Sequence, residues 1–116
     1  MPGHPLDDHP LRTLFRAPRS ATRRSSSFDR SGGNDDFVRI APGESATLLD
    51  HRGAGCVTRI YVALAAHELT DHRDGILRCW WDGEDAPSVE VPLGDFFGLT
   101  HGRVREYRSF FTAVNP

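Results

Sequence analysis

Ile76-Leu-Arg-Cys-Trp-Trp-Asp-Gly-Glu-Asp-Ala-Pro-Ser-Val-Glu-Val91 decides the fold class. Two runs rich in β-branched and aromatic residues, Ile76 to Trp81 and Ser88 to Val91, flank Asp82-Gly83, a dipeptide suited to a hairpin turn and here lengthened by Glu84-Asp-Ala-Pro87. Toward the N-terminus, Phe37 to Ile40, Ser45 to Asp50 and Cys56 to Leu64 read as strands of the same kind, punctuated by Pro42-Gly43 and Gly53-Ala-Gly55. Short strands at intervals of about ten residues predict an all-β fold, a β-sandwich or jelly roll. The one rival helical segment, Ala63 to Leu69, reads as a strand end and loop, and the chain contains no internal repeat.

Residues 1–22 hold four prolines and scattered charges around a short apolar cluster, and read as a flexible N-terminal arm. Residues 23–116 then make a partial jelly-roll domain. The C-terminal run Ser109 to Pro116 is apolar and strand-like, and a sheet of so few strands leaves long edges to be covered, so the sequence reads as truncated.

The chain has 116 residues, enough for one small domain. A domain of that size buries roughly 70% of its unfolded surface or a little less. Its formal net charge is -2, which gives no long-range field for nucleic acid or an anionic membrane. All fourteen basic residues are arginine, a bias that genome composition explains as readily as a demand for planar donors. Cys56 and Cys79 fall in predicted strands, where thiols act as small buried hydrophobes, and a reducing compartment fits them. The N-terminus carries no apolar run of signal-peptide or membrane-span kind, so the expected location is cytoplasmic.

Ahead of the first predicted strand lies Arg23-Arg-Ser-Ser-Ser-Phe-Asp-Arg-Ser-Gly-Gly-Asn-Asp-Asp36. It gathers guanidinium, hydroxyl, carboxylamide and carboxylate groups around two glycines, the inventory that a polyhydroxylated ligand requires. Asn34, Asp35 and Asp36 either converge on sugar hydroxyls or order a turn through side-chain-to-backbone bonds; Arg30 adds a forked donor beside them. Among the aromatics, Phe28 and Trp80 are the candidates to stack on a sugar. Strand alternation puts Trp80 and Trp81 on opposite faces, and Trp81, which shares a face with Leu77 and Cys79, is expected in the core.

The acids Asp82, Glu84, Asp85, Glu90 and Asp95 raise the question of a glycosidase pair, which stands about 5 Å apart for retention and roughly 6.5 to 9.5 Å apart for inversion. Turn chemistry accounts for the hairpin acids, and Glu90 reads as an exposed strand residue. Asp95, before Phe96-Phe97-Gly98, is either an N-cap on a short turn with both rings docked or a functional carboxylate at a cleft edge. His101 and scattered acids lack metal-ligand spacing, so no metal and no cofactor are expected. Ser31-Gly-Gly-Asn34 precedes a strand rather than a helix, which argues against a phosphate-binding loop, and no nucleophile elbow or dinucleotide fingerprint is present.

Several motifs together resemble glycoside hydrolase family 172, also described as domain-of-unknown-function family 2961, over roughly Arg23 to Phe111. They are Ser26-Ser-Phe-Asp-Arg-Ser-Gly-Gly-Asn34 with Asp36, Ala41-Pro-Gly-Glu44, Gly53-Ala-Gly-Cys56, Trp81-Asp-Gly-Glu84 and Val91-Pro-Leu-Gly-Asp-Phe-Phe-Gly98. The resemblance implies a bacterial protein of two tandem jelly rolls, of which this chain holds part of the first, assembling into homo-trimers or hexamers. It further implies a retaining hydrolase of α-D-arabinofuranosides or α-fructofuranosides that uses two glutamates located beyond residue 116. No residue here inherits a catalytic role, and the chain alone is expected to be inactive. The implied ligand is a furanose-containing glycan, with Arg30, Asn34, Asp35 and Asp36 on its hydroxyls, Trp80 or Phe28 stacked on it and Asp95 supporting the site. Phe28 stands where relatives carry Trp. The competing expectation is a non-catalytic carbohydrate-binding or assembly module.

Overall fold

The computed structural model describes residues 20–65 and 71–115. The chain divides into two compact units, Met1–Cys56 and Val57–Pro116, each taken here by itself. Most of the expected N-terminal arm lies outside the described residues.

The described part of the first unit is built from turns and extended segments. Ala41-Pro-Gly-Glu44 closes as a β-turn, the Glu44 N–H donating to Ala41 O at 3.0 Å. Gly43 at its third position takes φ 81°, a conformation that disfavours a side chain. Phe37 to Ile40, Ser45 to Asp50 and the described run Cys56 to Leu64 form no strand, which corrects the expectation for three of the five. The physical reason is that a strand exists only as part of a regular ladder, a condition that residue alternation alone does not establish. Phe37, Ile40, Leu49 and Tyr61 accordingly stand exposed, as does Cys56, contrary to its expected burial.

The second unit holds the regular structure. A single helical turn α1 (Asp71–Asp74) leads into β1 (Ile76–Cys79), which pairs antiparallel with β2 (Val89–Pro92). Pro92 passes directly into a second short helix α2 (Leu93–Phe96), and a hairpin of β3 (Tyr107–Arg108) and β4 (Ala113–Val114) follows. The register sets Leu77 opposite Val91 and Cys79 opposite Val89, so these four share one half-buried face, as the alternation predicted. Arg78 lies opposite Glu90 on the other face, and its Nε reaches Glu90 Oε2 at 2.6 Å. Both side chains are largely exposed, and such a pair adds about 0.2–1 kcal/mol.

The hairpin signal is borne out in its chemistry. Asp82 and Gly83 both take positive φ, 50° and 80°, and the Glu84 N–H donates to Trp81 O at 3.0 Å. Because Trp81 already belongs to this loop and not to β1, it is 46% exposed and not the core residue expected of it. Trp80 is 50% exposed. No large apolar side chain is buried among the described residues. The paired strands among the described residues make two antiparallel ladders, of four and of two residue pairs. No helix among the described residues is long and apolar enough to cross a membrane.

The tightest packing joins the two helical turns. His72 is 6% exposed and Gly94 is buried against it. A Cβ at Gly94 would lie 3.0 Å from His72 O and press into the imidazole ring. Leu93 N–H donates to Gly75 O at 2.8 Å, holding α2 under the start of β1. Helix propensity favours alanine over glycine by about 1 kcal/mol, whereas overpacking against a fixed carbonyl costs about 1–3 kcal/mol. Gly94→Ala therefore lowers stability by about 1 kcal/mol in urea unfolding followed by Trp80 and Trp81 fluorescence. An unchanged midpoint would show that this contact yields freely.

Candidate functional site

The loop that the sequence singles out is ordered by its own polar groups. Asp29 stands at its centre. Its Oδ1 accepts the Ser31 N–H at 2.8 Å and the Ser31 hydroxyl at 2.7 Å, and its Oδ2 accepts the Asp35 N–H at 3.3 Å. The Asp29 N–H donates to Asp36 Oδ1 at 2.7 Å, and the Gly32 N–H donates to Asp29 O at 3.2 Å. The Ser27 hydroxyl donates to Asp36 O at 3.0 Å, so the two ends of the segment are tied across its base. Gly32 and Asn34 take φ 79° and 62°, where glycine and asparagine are the residues best tolerated. Ser31, through its side-chain hydrogen bond first and its N–H next, holds the Asp29 carboxyl below the ordinary aspartate range.

Within this frame the expected binding residues separate by what their side chains touch. Asp36 spends one carboxylate oxygen on the Asp29 N–H. Asp35 accepts from the Arg39 guanidinium at 3.3 Å, an exposed pair worth little. Arg39 in turn stacks over the Phe37 ring at 4.0 Å. Arg30 lies over the exposed Phe28 ring, its Cζ 5.9 Å from the ring centre, and its guanidinium makes no hydrogen bond within the described residues. The Asn34 amide likewise keeps its donors and acceptor available there. The structure thus gathers Phe28, Arg30, Asn34, Asp35 and Asp36 on one loop of the first unit, where Asp35 and Asp36 take part in the internal bonds of the turn.

Trp80 and Asp95 belong to the second unit. Asp95 is not the N-cap: Pro92 holds that position without a side-chain cap, and Asp95 is the third residue of α2. Its Oδ2 instead accepts from Arg73 Nη2 at 3.1 Å, while Asp95 Oδ1 and His72 Nε2 are buried without a hydrogen-bond partner among the described residues. The adjacent rings of Phe96 and Phe97 meet edge to face, centres 5.2 Å apart, both half-buried. Sequence reasoning missed His72 and Arg73 because a single turn leaves no periodicity to read. Asp29 was visible in its motif but was not assigned a role; the Asp-x-Ser spacing of a side-chain-closed turn was the available signal.

Glu84 is likewise committed to structure. Its carboxylate accepts the Ser88 hydroxyl at 2.5 Å and the Trp81 N–H at 2.7 Å, and these bonds, Ser88 first, hold its pKa below the ordinary glutamate value. A depressed carboxylate pKa contributes order that is present at neutral pH and lost as pH falls through the depressed value. Proton titration of the Trp81 amide should therefore inflect below the ordinary glutamate range, and Glu84→Gln should remove the inflection. An inflection at the ordinary value would mean that these bonds do not form in solution.

No group of three or more histidine, cysteine, aspartate or glutamate side chains gathers among the described residues as a metal site would. The GH172 domain-like family matches residues 34–115, which takes in Asn34, Asp35, Asp36, Trp80 and Asp95 and begins just after the glycines of the loop. No curated protein and no solved structure gives a significant match to the chain. With most of its length matched, including the hairpin and the α2 turn whose geometry is described above, the chain belongs to the glycoside hydrolase-related GH172 domain-like family.

Proposed function

We propose that this chain is the N-terminal, carbohydrate-facing part of a retaining glycoside hydrolase acting on α-furanosides, either D-arabinofuranosides or fructofuranosides, built on the first of two jelly rolls. The observation that carries the reading is that a loop rigidly bonded to itself leaves Arg30 and Asn34 with uncommitted hydrogen-bonding groups beside the exposed ring of Phe28, in a chain of a glycoside hydrolase-related family. A forked donor, an amide and an aromatic face are complementary to furanose hydroxyls and to the apolar face of the sugar. In the second unit, taken by itself, Trp80 is an exposed ring and Asp95 is held by Arg73.

In a retaining mechanism one carboxylate attacks the anomeric carbon while a second carboxyl protonates the leaving oxygen, through an oxocarbenium-like transition state. Glu84 and Glu90 do not fit either role, since the first is bonded to Ser88 and Trp81 and the second to Arg78. As the resemblance to glycoside hydrolase family 172 implies, the catalytic pair lies beyond residue 116 in this reading, and the chain by itself binds without cleaving.

Purified chain should release no arabinose or fructose from α-linked substrates, yet give saturable heat with methyl α-D-arabinofuranoside or methyl α-fructofuranoside in calorimetry. Arg30→Gln should weaken that binding about tenfold, the cost of one charge-assisted hydrogen bond. Sugar release would overturn the assignment of catalysis to other residues; absence of saturable heat would overturn the binding role.

A second reading, a non-catalytic assembly module, is favoured by the exposure of the described large apolar residues. Phe110 and Phe111 are 91% and 89% exposed at the tip of the β3–β4 hairpin, and Phe37, Ile40, Leu49 and Leu64 are half-exposed or more. Within the second unit, the rings of Phe110 and Phe111 meet edge to face, and an exposed apolar pair of this kind suits a partner's surface. A homo-oligomer, trimer or hexamer, would cover it. Sedimentation showing a stable monomer would count against this second reading.

A further inference from the structure

We propose that Asp29 is the positioning residue of the 27–36 loop: its ionised carboxylate locks the backbone into one turn and thereby presents Arg30 and Asn34 to the ligand, without touching the ligand itself. The inference rests on the furanoside-binding reading for what the loop presents, but not for how the loop is held. Three independent features of the loop converge on this one side chain.

The first is the set of bonds. Both Asp29 carboxylate oxygens accept from the loop, Oδ1 from the Ser31 N–H and hydroxyl and Oδ2 from the Asp35 N–H, and the Asp29 N–H itself is bound by Asp36. Three of the roughly four acceptor positions of this carboxylate are taken by loop donors, so most of its hydrogen-bonding capacity is spent on holding the loop. The second is the space at Gly33. A Cβ there would lie 2.8 Å from Asp29 Oδ2 and 3.2 Å from the Ser31 hydroxyl, so the carboxylate occupies the place that any side chain at residue 33 would need. A Cβ at Gly33 would thus displace the Asp29 carboxylate, independently of the positive φ that accounts for Gly32. The third is position. Arg30 follows Asp29 directly and Asn34 precedes Asp35, the farther residue whose N–H the carboxylate binds, so both binding candidates sit beside points that Asp29 fixes. The carboxyl's lowered pKa, caused first by the Ser31 hydroxyl, agrees with bonds made to the charged form.

Two substitutions break the arrangement by opposite means. Asp29→Asn keeps the shape but removes the charge and aims an amide donor at donors. Gly33→Ala keeps the charge but forces the carboxylate out of its place. Arg30→Gln serves as comparison, removing a ligand contact while leaving the Asp29 bonds intact. The full chain is followed by amide ¹H–¹⁵N spectra with heteronuclear NOE across pH, and by calorimetry with methyl α-D-arabinofuranoside and methyl α-fructofuranoside.

The expected result is that Asp29→Asn and Gly33→Ala each lower the NOE of Ser31, Gly32 and Asp35 and weaken sugar binding about tenfold or more. Arg30→Gln weakens binding with the NOE unchanged. In the unsubstituted chain the loop amides lose their order as pH falls through a value below the ordinary aspartate range, since stability from a depressed carboxylate is lost on protonation; Asp29→Asn abolishes that transition. Retention of the NOE pattern in Asp29→Asn, or of its pH transition, overturns the proposal. If the unsubstituted chain binds neither sugar while both substitutions still loosen the loop, the furanoside reading fails and with it what the loop presents, while the hold of Asp29 on the loop stands.

Discussion

The antiparallel pairing of Ile76–Cys79 with Val89–Pro92 is the constraint on which the regular structure of the second unit depends. Its register aligns Leu77, Cys79, Val89 and Val91 on one face and opposes Arg78 to Glu90 on the other. Pro92 ends the ladder and opens α2 in one step, because proline has no N–H to give the sheet and its fixed φ suits the start of a helix. The Leu93 bond to Gly75 and the fit of Gly94 against His72 then fold α2 back beside α1. A one-residue slip of the ladder would reverse the two faces and remove the footing of both helical turns.

Carboxylates do much of the ordering in this chain, and in each case geometry separates a structural acid from one available for chemistry. Asp29 closes the polar loop, Glu84 closes the hairpin loop, Glu90 pairs across the strands and Asp95 is held by Arg73. The depressed pKa values of Asp29 and Glu84 have one physical origin, hydrogen bonds from serine hydroxyls and backbone N–H groups to the ionised form. A general acid needs the opposite environment, one that raises its pKa toward neutrality. By that contrast, Asp29 and Glu84 are held as structural acceptors and not as general acids.

Much of the second unit was legible in the sequence because its signals are local. Asp82-Gly83 states a turn through backbone permissiveness, and the alternation of Leu77, Cys79, Val89 and Val91 states a half-buried face. The polar loop was legible as a loop for the same reason. Its internal order was not, because alternation and composition do not say which of five neighbouring polar side chains will accept which N–H; Asp29, rather than Asp36 or Asp35, took the centre. Trp81 was misplaced by one consequence of the turn it introduces, since β1 ends at Cys79 and the loop begins before the ring.

The sequence by itself determined the hairpin, its turn residues, the polar character of the 23–36 segment and, through motif spacing, membership in the GH172 domain-like family, which the match over residues 34–115 bears out. These are properties of neighbouring residues, set by backbone sterics and side-chain chemistry. Only the tertiary structure decided that Phe37 to Ile40, Ser45 to Asp50 and Cys56 to Leu64 form no strand among the described residues, that Asp95 answers to Arg73 rather than capping a helix, and that Gly33 makes room for a carboxylate. Each of those outcomes depends on contacts with residues elsewhere along the chain, which neighbouring residues do not specify.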